Sequence, residues 1–217
     1  MLSRQHFSLW KIATVVVVLS VVCFASKQFV MPKPQAASAY PAHDNHPNEK
    51  VTIAADPYDM ADKANIFSTH YNEEGFMPVL VVITNDGDQP ILLTDMQAQL
   101  ITVKRTKIPS ATVADLQRRL AHPSASASRS PLPFPTKKVK GGLSKQTLEE
   151  IQSAQFGAKA VEPHSTQAGF MFFDVSGIST PLAGANLYLT GIKDAQGNEL
   201  IYFEVPMEKY LSAPQAH

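Results

Sequence analysis

The pattern of apolar and polar positions near the N-terminus is dominated by an uncharged run at residues 12–26. Lysines flank this run at both ends, and no acidic residue precedes Asp44. A basic leader followed by an uncharged apolar segment is typical of a signal peptide or an uncleaved signal anchor. We therefore expect a hydrophobic helix within residues 1–27, and we expect the rest of the chain to lie outside the cytoplasm.

Cleavage of this leader stays open on the sequence alone. The run is short, since a helix needs about 20 apolar residues to cross a bilayer, but Trp10 and the flanking lysines could extend it at the interface. Small residues suited to cleavage occur at positions 23–25 and 37–39, and a lipidated Cys23 is a further alternative. The expected location is the cytoplasmic membrane, in a single pass with the C-terminal domain outside the cytoplasm. The alternative is a secreted or periplasmic protein after cleavage.

Residues 28–49 contain four prolines and no periodic apolar pattern. Pro-rich segments without an apolar face favour extended, semi-rigid conformations. We interpret this segment as a tether between the membrane and a folded body.

From residue 50 onward the apolar pattern changes to that of β-strands. Residues 76–84 form a continuous run rich in β-branched side chains, as in fully buried strands. Residues 96–100 and 201–205 alternate between apolar and polar side chains, which indicates one buried and one solvated face. Residues 50–210 are therefore predicted to be mainly β and to form an antiparallel β-sandwich, followed by a short tail at residues 211–217.

The β pattern is interrupted at residues 104–158. Thr112 and Ser144 each precede a short amphipathic stretch, and both are residue types that commonly cap a helix. A Pro- and Ser-rich segment at residues 124–142 separates the two predicted helices, and its alternating prolines favour polyproline II. We expect this two-helix insertion to hang between two strands as a functional or disordered connection.

The overall charge of zero conceals a strong segregation of charge along the chain. Between residues 104 and 145 there are ten lysines and arginines against a single acidic residue, Asp115. A local excess of one charge concentrates opposite charge around it. The candidate binding patch consists of Lys104, Arg105, Lys107, Arg118, Arg119, Arg129, Lys137, Lys138 and Lys140.

Two interpretations of this patch stay open: it folds back onto the acidic body, or it faces an anionic partner. The expected partners are an envelope protein or an anionic envelope polymer, with anionic lipid head groups as a third class. Nucleic acid would suit the charge but is disfavoured by the expected location. The membrane itself is expected to be contacted through residues 12–26.

The sequence contains no recognisable catalytic or metal-binding motif. Glycine-rich phosphate loops, nucleophile elbows, H-E-x-x-H and C-x-x-C are all missing. The only cysteine is Cys23, so the body has neither a disulfide nor a thiol nucleophile. His70, His164 and the aspartates of residues 56–62 are interpreted as surface groups. We therefore predict no catalytic residue, no metal site and no cofactor.

Two stretches of the body carry a resemblance to a known group of domains. Residues 79–91 read VLVVITNDGDQPI, and residues 161–175 lead from a Pro-containing loop through Gly169 into the aromatic-rich strand FMFFDV. Together they resemble exported bacterial Ig-like (telokin-like) β-sandwich domains of unknown function, over about residues 50–103 and 159–210. The resemblance implies an Ig-like fold and a cell-envelope location, and it implies no catalytic residue.

The sequence therefore predicts a membrane-tethered, extracytoplasmic binding or structural module of the cell envelope that is not an enzyme. The alternative is an extracytoplasmic hydrolase or metal-handling domain. A pocket that joins His70 or His164 to a carboxylate and a hydroxyl would favour this alternative. A shallow surface with a detached basic insertion would favour the binding module.

Overall fold

The structure is a computed structural model that describes residues 28–121 and 143–214. The leader with its expected hydrophobic helix, the Pro- and Ser-rich segment of the insertion and the last three residues lie outside the described residues. Within the described ranges, no helix has the length and apolarity needed to cross a membrane.

Ten strands and four α-helices make up the described chain. The strands are β1 (His43–His46), β2 (Val51–Pro57), β3 (Phe76–Asn85), β4 (Ile91–Leu92), β5 (Gln97–Ile101), β6 (Lys107–Pro109), β7 (Ala160–Val161), β8 (Ser165–Asp174), β9 (Asn186–Thr190) and β10 (Phe203–Pro206). The helices are α1 (Ala61–Ala64), α2 (Val113–Ala121), α3 (Lys145–Ala154) and α4 (Glu208–Leu211), with a 3-10 turn at Ala37–Ala39.

The strands form two four-stranded sheets and one small two-stranded sheet. The first sheet has the order β1-β2-β3-β8, the second has the order β10-β9-β5-β6, and β4 pairs with β7. Every pair of named strands is antiparallel. The prediction of a mainly β chain with antiparallel sheets is confirmed.

The two larger sheets enclose a single hydrophobic cluster, the inner core. It includes Val79, Val81 and Ile83 from β3 and Leu187 and Leu189 from β9, all essentially inaccessible to solvent. The alternation predicted for β5 is observed, because Ala98 and Leu100 face this core while Gln97 and Gln99 do not. At β10 the alternation starts later than predicted: Ile201 is 63% exposed, and the strand begins at Phe203.

All ten residues of β3 are buried because both faces of the first sheet are covered. Leu80 and Val82 point away from the inner core into a second cluster, the outer core, together with Leu116 of α2 and Ile151 of α3. The interpretation of residues 76–84 as a fully buried strand is confirmed. Its physical reason is a third layer, formed by the two helices of the insertion.

Both helices of the insertion begin where the sequence predicts. The Oγ1 atom of Thr112 accepts the backbone N–H of Asp115 at 3.2 Å, and the Asp115 carboxylate accepts the backbone N–H of Thr112 at 3.1 Å, a reciprocal capping arrangement. Ser144 caps α3 through the backbone N–H of Thr147 at 3.0 Å. The described parts of the insertion, residues 104–121 and 143–158, lie against the body. Their apolar stripes bury against the first sheet, and burial supplies most of the stability of short helices.

The expectation of a tether at residues 28–49 is wrong. Phe29 and Met31 pack against the outer core, and the ring of Phe29 stacks on Phe67 with 5.3 Å between centroids. Ala37 is fully buried, and its N–H donates to Oγ1 of Thr84 at 2.8 Å. The segment then continues into β1, which pairs with β2. A few well-placed apolar residues are enough to hold this Pro-rich segment against a sheet; we call residues 28–42 the N-terminal strap.

Candidate functional site: the basic hairpin and the adjacent cleft

The turn between β5 and β6, residues 102–106, presents the first part of the predicted basic patch. The N–H of Thr102 donates to the carbonyl of Thr106 at 3.0 Å, and the N–H of Arg105 donates to the carbonyl of Thr102 at 2.8 Å. Oγ1 of the buried Thr102 also accepts the N–H of Thr106 at 3.2 Å. These bonds close the turn on itself, so the backbone of this basic hairpin (residues 101–107) has a defined shape.

Three cationic side chains project from the basic hairpin. Lys104, Arg105 and Lys107 are all exposed. None of the three forms an ion pair with a carboxylate in residues 28–121 or 143–214. Val103, which precedes Lys104, is 67% exposed and lies against Gly184, where an added side-chain carbon would be 3.2 Å from Val103. The hairpin therefore offers three unneutralised charges and one exposed apolar side chain.

Arg118 and Arg119 lie on α2 and are neutralised locally. Arg118 pairs with Asp115 one turn earlier on the same helix. Hydrogen bonds from the Thr112 side chain and backbone, with the nearby Arg118 charge, hold the pKa of Asp115 below its ordinary value. An anionic ligand at Arg118 would therefore compete with a carboxylate that is already charged and in place.

Arg119 connects the insertion to the body of the protein. Its Nη2 atom lies 2.5 Å from Oδ2 of Asp174 at the end of β8, and its guanidinium stands 5.5 Å from the centroid of the Phe76 ring. Partial burial acts to raise the pKa of Asp174, but hydrogen bonds from Ser176 and the charge of Arg119 outweigh it and lower that pKa. The alternative in which the insertion folds back onto the acidic body is thus observed at this residue.

A cleft of about 480 Å³ lies between β6 and α2. The cleft is lined by two arginines, Arg118 and Arg119, and by two aspartates, Asp115 and Asp174. The formal charges of its lining therefore cancel. The complete lining is Phe76, Ile108, Pro109, Ser110, Ala111, Asp115, Arg118, Arg119 and Asp174. Such a lining suits a small amphipathic group better than a polyanion.

The structure divides the nine residues of the predicted patch into three groups. Lys104, Arg105 and Lys107 form the unpaired group on the basic hairpin, and Arg118 and Arg119 form the neutralised group on α2. Four further members lie outside the described residues: Arg129, Lys137, Lys138 and Lys140.

The histidines considered for chemistry lie in exposed ion pairs. Nε2 of His164 is 3.2 Å from Oδ1 of Asp88, which also pairs with Lys50, and Nδ1 of His70 is 3.7 Å from Glu73. No described hydroxyl is hydrogen-bonded to either ring. Within the described ranges there is also no group of three or more histidine, cysteine, aspartate or glutamate side chains that could hold a metal ion.

The aspartates of residues 56–62 are held by neighbouring side chains. Asp56 accepts a 2.6 Å hydrogen bond from Lys63, although burial is the larger influence and raises the pKa of this carboxyl. The Lys63 ammonium lies 4.9 Å and 4.8 Å from the ring centroids of Tyr58 and Tyr210. Asp59 accepts the hydroxyl of Tyr210 at 2.7 Å, so this cluster holds α4 against the first sheet.

The edges of the two sheets offer little room for an added strand. The N–H of Ala111 donates to the carbonyl of Phe172 at 2.7 Å, and the N–H of Phe156 donates to the carbonyl of Phe170 at 3.0 Å, which covers the outer edge of β8. On the opposite side, the N–H of Glu204 in β10 donates to Oδ2 of Asp44 in β1 at 2.9 Å. Blocked or short edges disfavour recruitment of a partner strand.

Sequence reasoning missed one surface, the outer face of the second sheet. Tyr188 of β9 and Tyr202 just before β10 stack there with 5.2 Å between ring centroids. The alternation of residues 96–100 and 201–205 was the available signal, since it predicts a solvated side for each of these strands separately. No protein-family model, curated protein or solved structure matches this chain.

Proposed function

We propose that this protein is a membrane-anchored, extracytoplasmic binding module of the cell envelope, without catalytic activity, whose basic hairpin binds an anionic partner. The observation that carries the proposal is the difference between the two described groups of cations. Arg118 and Arg119 each have a carboxylate partner, whereas Lys104, Arg105 and Lys107 have none among the described residues. Unneutralised charges of one sign attract an oppositely charged ligand most strongly.

The partner is an anionic envelope polymer or the acidic surface of an envelope protein. A polymer suits the hairpin because its cations stand on a protruding turn rather than in an enclosed pocket. Val103, next to Lys104, adds an exposed apolar side chain, which would favour a partner that is not purely hydrophilic. Nucleic acid is not proposed as a partner because of the extracytoplasmic location.

The body is proposed to belong with Ig-like β-sandwich domains. The two antiparallel four-stranded sheets around one inner core support this assignment, as does the resemblance of residues 79–91 and 161–175 to telokin-like domains. The helical layer on the first sheet is an addition to that architecture.

The N-terminal strap bears on how the protein sits at the membrane. If residues 12–26 span the bilayer, only Lys27 and Gln28 separate the span from Phe29, which already packs in the outer core. The body would then lie directly against the outer face of the cytoplasmic membrane, with no spacer between it and the anchor. Cleavage after Ala39 would remove Phe29, Met31 and Ala37 from the fold, which favours an anchor or an earlier cut over that alternative.

His70 lies in a cavity of about 370 Å³ with the carboxylates of Asp59 and Glu73 and the hydroxyls of Thr69 and Tyr71, an arrangement that supports the hydrolase alternative. The absence of a hydrogen bond between the ring of His70 or His164 and a described hydroxyl favours the binding module. A general base works within hydrogen-bond reach of the group whose proton it takes. Each of these rings is paired with an exposed carboxylate alone among the described residues.

Binding to a polyanion tests the proposal. The full chain in a neutral detergent is titrated with polyphosphate at ionic strengths between about 0.01 M and 0.15 M, over which the Debye length falls from about 30 Å to about 8 Å. We expect the affinity to fall steeply over this range. An affinity that does not change with salt, or no binding at the lowest salt, would contradict the proposal.

The location is tested independently of the partner. A phosphatase reporter that is active only outside the cytoplasm is fused after His217, because a fusion near Met31 would disrupt the strap. We expect active reporter in the membrane fraction. A second reporter, active only in the cytoplasm, is fused at the same position. If only this second reporter is active, the proposed orientation is refuted.

A further inference from the structure

The outer face of the second sheet carries a row of side chains that no other described element covers. Strands β5, β9 and β10 alternate between buried and accessible residues, so only one of their faces is packed. In register across these strands, Glu204 is opposite Tyr188, and Tyr188 is opposite Gln99. Gln97 lies two residues along β5 on the same face.

Two tyrosine rings form the aromatic part of this face. The rings of Tyr188 and Tyr202 stack with 5.2 Å between centroids and 21° between planes. Tyr202 is 50% exposed, so one of its ring faces is accessible while Tyr188 supports the other. A ring fixed in this way can receive a ligand without first losing conformational freedom.

The polar groups on this face are also held in place. The Glu204 carboxylate accepts Nδ2 of Asn186 at 2.6 Å and the hydroxyl of Tyr188 at 2.8 Å. The hydrogen bond to Glu204 is the main cause that raises the pKa of Tyr188 to about 12, so this phenol stays neutral at physiological pH. A carboxylate can accept two adjacent hydrogen bonds, and a side-chain amide can accept one and donate another beside it.

We propose that this tyrosine face, made of Tyr188, Tyr202, Glu204, Asn186, Gln97 and Gln99, binds a neutral glycan chain. The exposed tyrosine ring offers its electron-rich face to the polarised C–H groups on one side of a sugar ring. The amides and the carboxylate beside it offer paired hydrogen bonds to neighbouring sugar hydroxyls. These six residues include one carboxylate and no cation, and a polyanion would meet the Glu204 carboxylate beside the tyrosine pair. The cation Lys107 of the basic hairpin lies on the same outer face, opposite Ile101, which is opposite Asn186.

The shape of the face favours an extended chain over a compact ligand. Neighbouring strands lie about 4.8 Å apart, so the four strands of this sheet span about 14 Å along one open sheet face. A protein partner fits less well, because a stable interface buries about 800 Å² on each side around an apolar centre. Although Ile201 next to Tyr202 is 63% exposed, the in-register neighbours of Tyr188 are the polar Glu204 and Gln99, which are costly to bury without hydrogen-bonding partners.

This site adjoins the basic hairpin, because Ile101 is opposite both Asn186 and Lys107, so its test uses uncharged ligands. The full chain is kept in a polyoxyethylene detergent, because a glycosidic detergent would compete. Chitohexaose and cellohexaose are the probes, and binding is measured by calorimetry. We expect at least one of them to bind, with an affinity that changes little with salt.

Two variants of Tyr202 distinguish the contribution of its ring to binding from the contribution of its hydroxyl. Tyr202→Ala should lower the affinity about tenfold or more, since it removes the stacking surface. Tyr202→Phe should keep it within about twofold, because the ring face remains. Leu211→Ala, at a comparably exposed apolar position on α4 (43% against 50% for Tyr202), should leave it unchanged, and the thermal transition of each variant shows that it is folded.

Three results would overturn the inference. The first is that neither oligosaccharide binds the unaltered chain, and the second is that Tyr202→Ala binds as well as Tyr202→Phe. The third is that the unaltered chain self-associates and Tyr202→Ala makes it monomeric, since the face would then be an interface between copies. Polyphosphate binding at the hairpin is expected to persist in Tyr202→Ala, so failure here is distinguishable from failure of the proposed function.

Discussion

The backbone N–H of Ser68 donates a 2.6 Å hydrogen bond to Oε2 of Glu150. Glu150 lies on α3 and is only 3% exposed, and its other oxygen accepts the N–H of Thr69 at 3.1 Å. The hydroxyl of Ser68 adds a third bond of 2.5 Å. A buried carboxylate of the insertion therefore satisfies two backbone donors of the loop before β3, and it holds the helical layer on the first sheet.

Replacement of Glu150 is expected to destabilise the whole fold. Glu150→Ala leaves two backbone N–H groups without their acceptor in a buried site, and the loss should be about 2–4 kcal/mol in the free energy of unfolding. Urea unfolding followed by circular dichroism measures it. The control is Glu149→Ala, one residue earlier, where an exposed pair with Lys145 is worth about 0.5 kcal/mol or less. Equal losses for the two variants would contradict this role of Glu150.

Gly169 is expected to tolerate no side chain. A Cβ atom at this position of β8 would lie 2.3 Å from Cα of Phe156, in the segment that covers the edge of the strand. Gly169→Ala must push that segment away and should cost about 1–3 kcal/mol. Gly157→Ala is the matched control, because its nearest neighbour would be a carbonyl oxygen at 3.9 Å. The midpoints of thermal unfolding of the two variants are compared. Similar midpoints would refute the close approach of Gly169 to Phe156.

The pair of Arg119 and Asp174 is expected to make stability depend on acid pH. The folded-state pKa of Asp174 is lowered from its ordinary value of 3.8, so its stabilising contribution is fully present above about pH 4. The contribution is lost as the pH falls through the lower, folded-state pKa. Arg119→Met should cost about 1 kcal/mol at pH 7, since it removes the ion pair and the contact with Phe76.

The pH dependence of this variant provides the check. Urea unfolding of the unaltered chain and of Arg119→Met at pH 7 and near pH 3 should show a smaller difference at the lower pH. Arg118→Met serves as the control, because Asp115 keeps its hydrogen bonds from Thr112. A difference that is the same at both pH values would show that Arg119 acts through packing alone.

The elements that sequence reasoning predicted correctly are those with local signals. The caps at Thr112 and Ser144 fixed the beginnings of α2 and α3, because a cap depends on residues only three positions away. The continuous apolar run of β3 identified a buried strand. The alternation of residues 201–205 correctly predicted that Phe203 and Val205 face the core.

The errors concern contacts between residues that are distant in the chain. Arg119 and Asp174 are separated by 55 positions, so the sequence could not show that part of the basic patch is neutralised. The strap was misread because its prolines suggest a linker, whereas its fixation depends on Phe29 meeting Phe67 and Ala37 meeting Thr84. The tyrosine face depends on strand register across three strands, which alternation alone does not specify.

The most direct test of the central claim compares two variants that each lose two charges. Lys104→Ala/Arg105→Ala removes cations from the basic hairpin, and Arg118→Ala/Arg119→Ala removes the neutralised pair on α2. Polyphosphate binding by the full chain is measured at an ionic strength of about 0.01 M, where charges act over about 30 Å, after circular dichroism has shown that both variants are folded. We predict that the hairpin variant loses most of its affinity while the helix variant keeps it. Retained binding in the hairpin variant, or an equal loss in both, would contradict the assignment of the anionic partner to the basic hairpin.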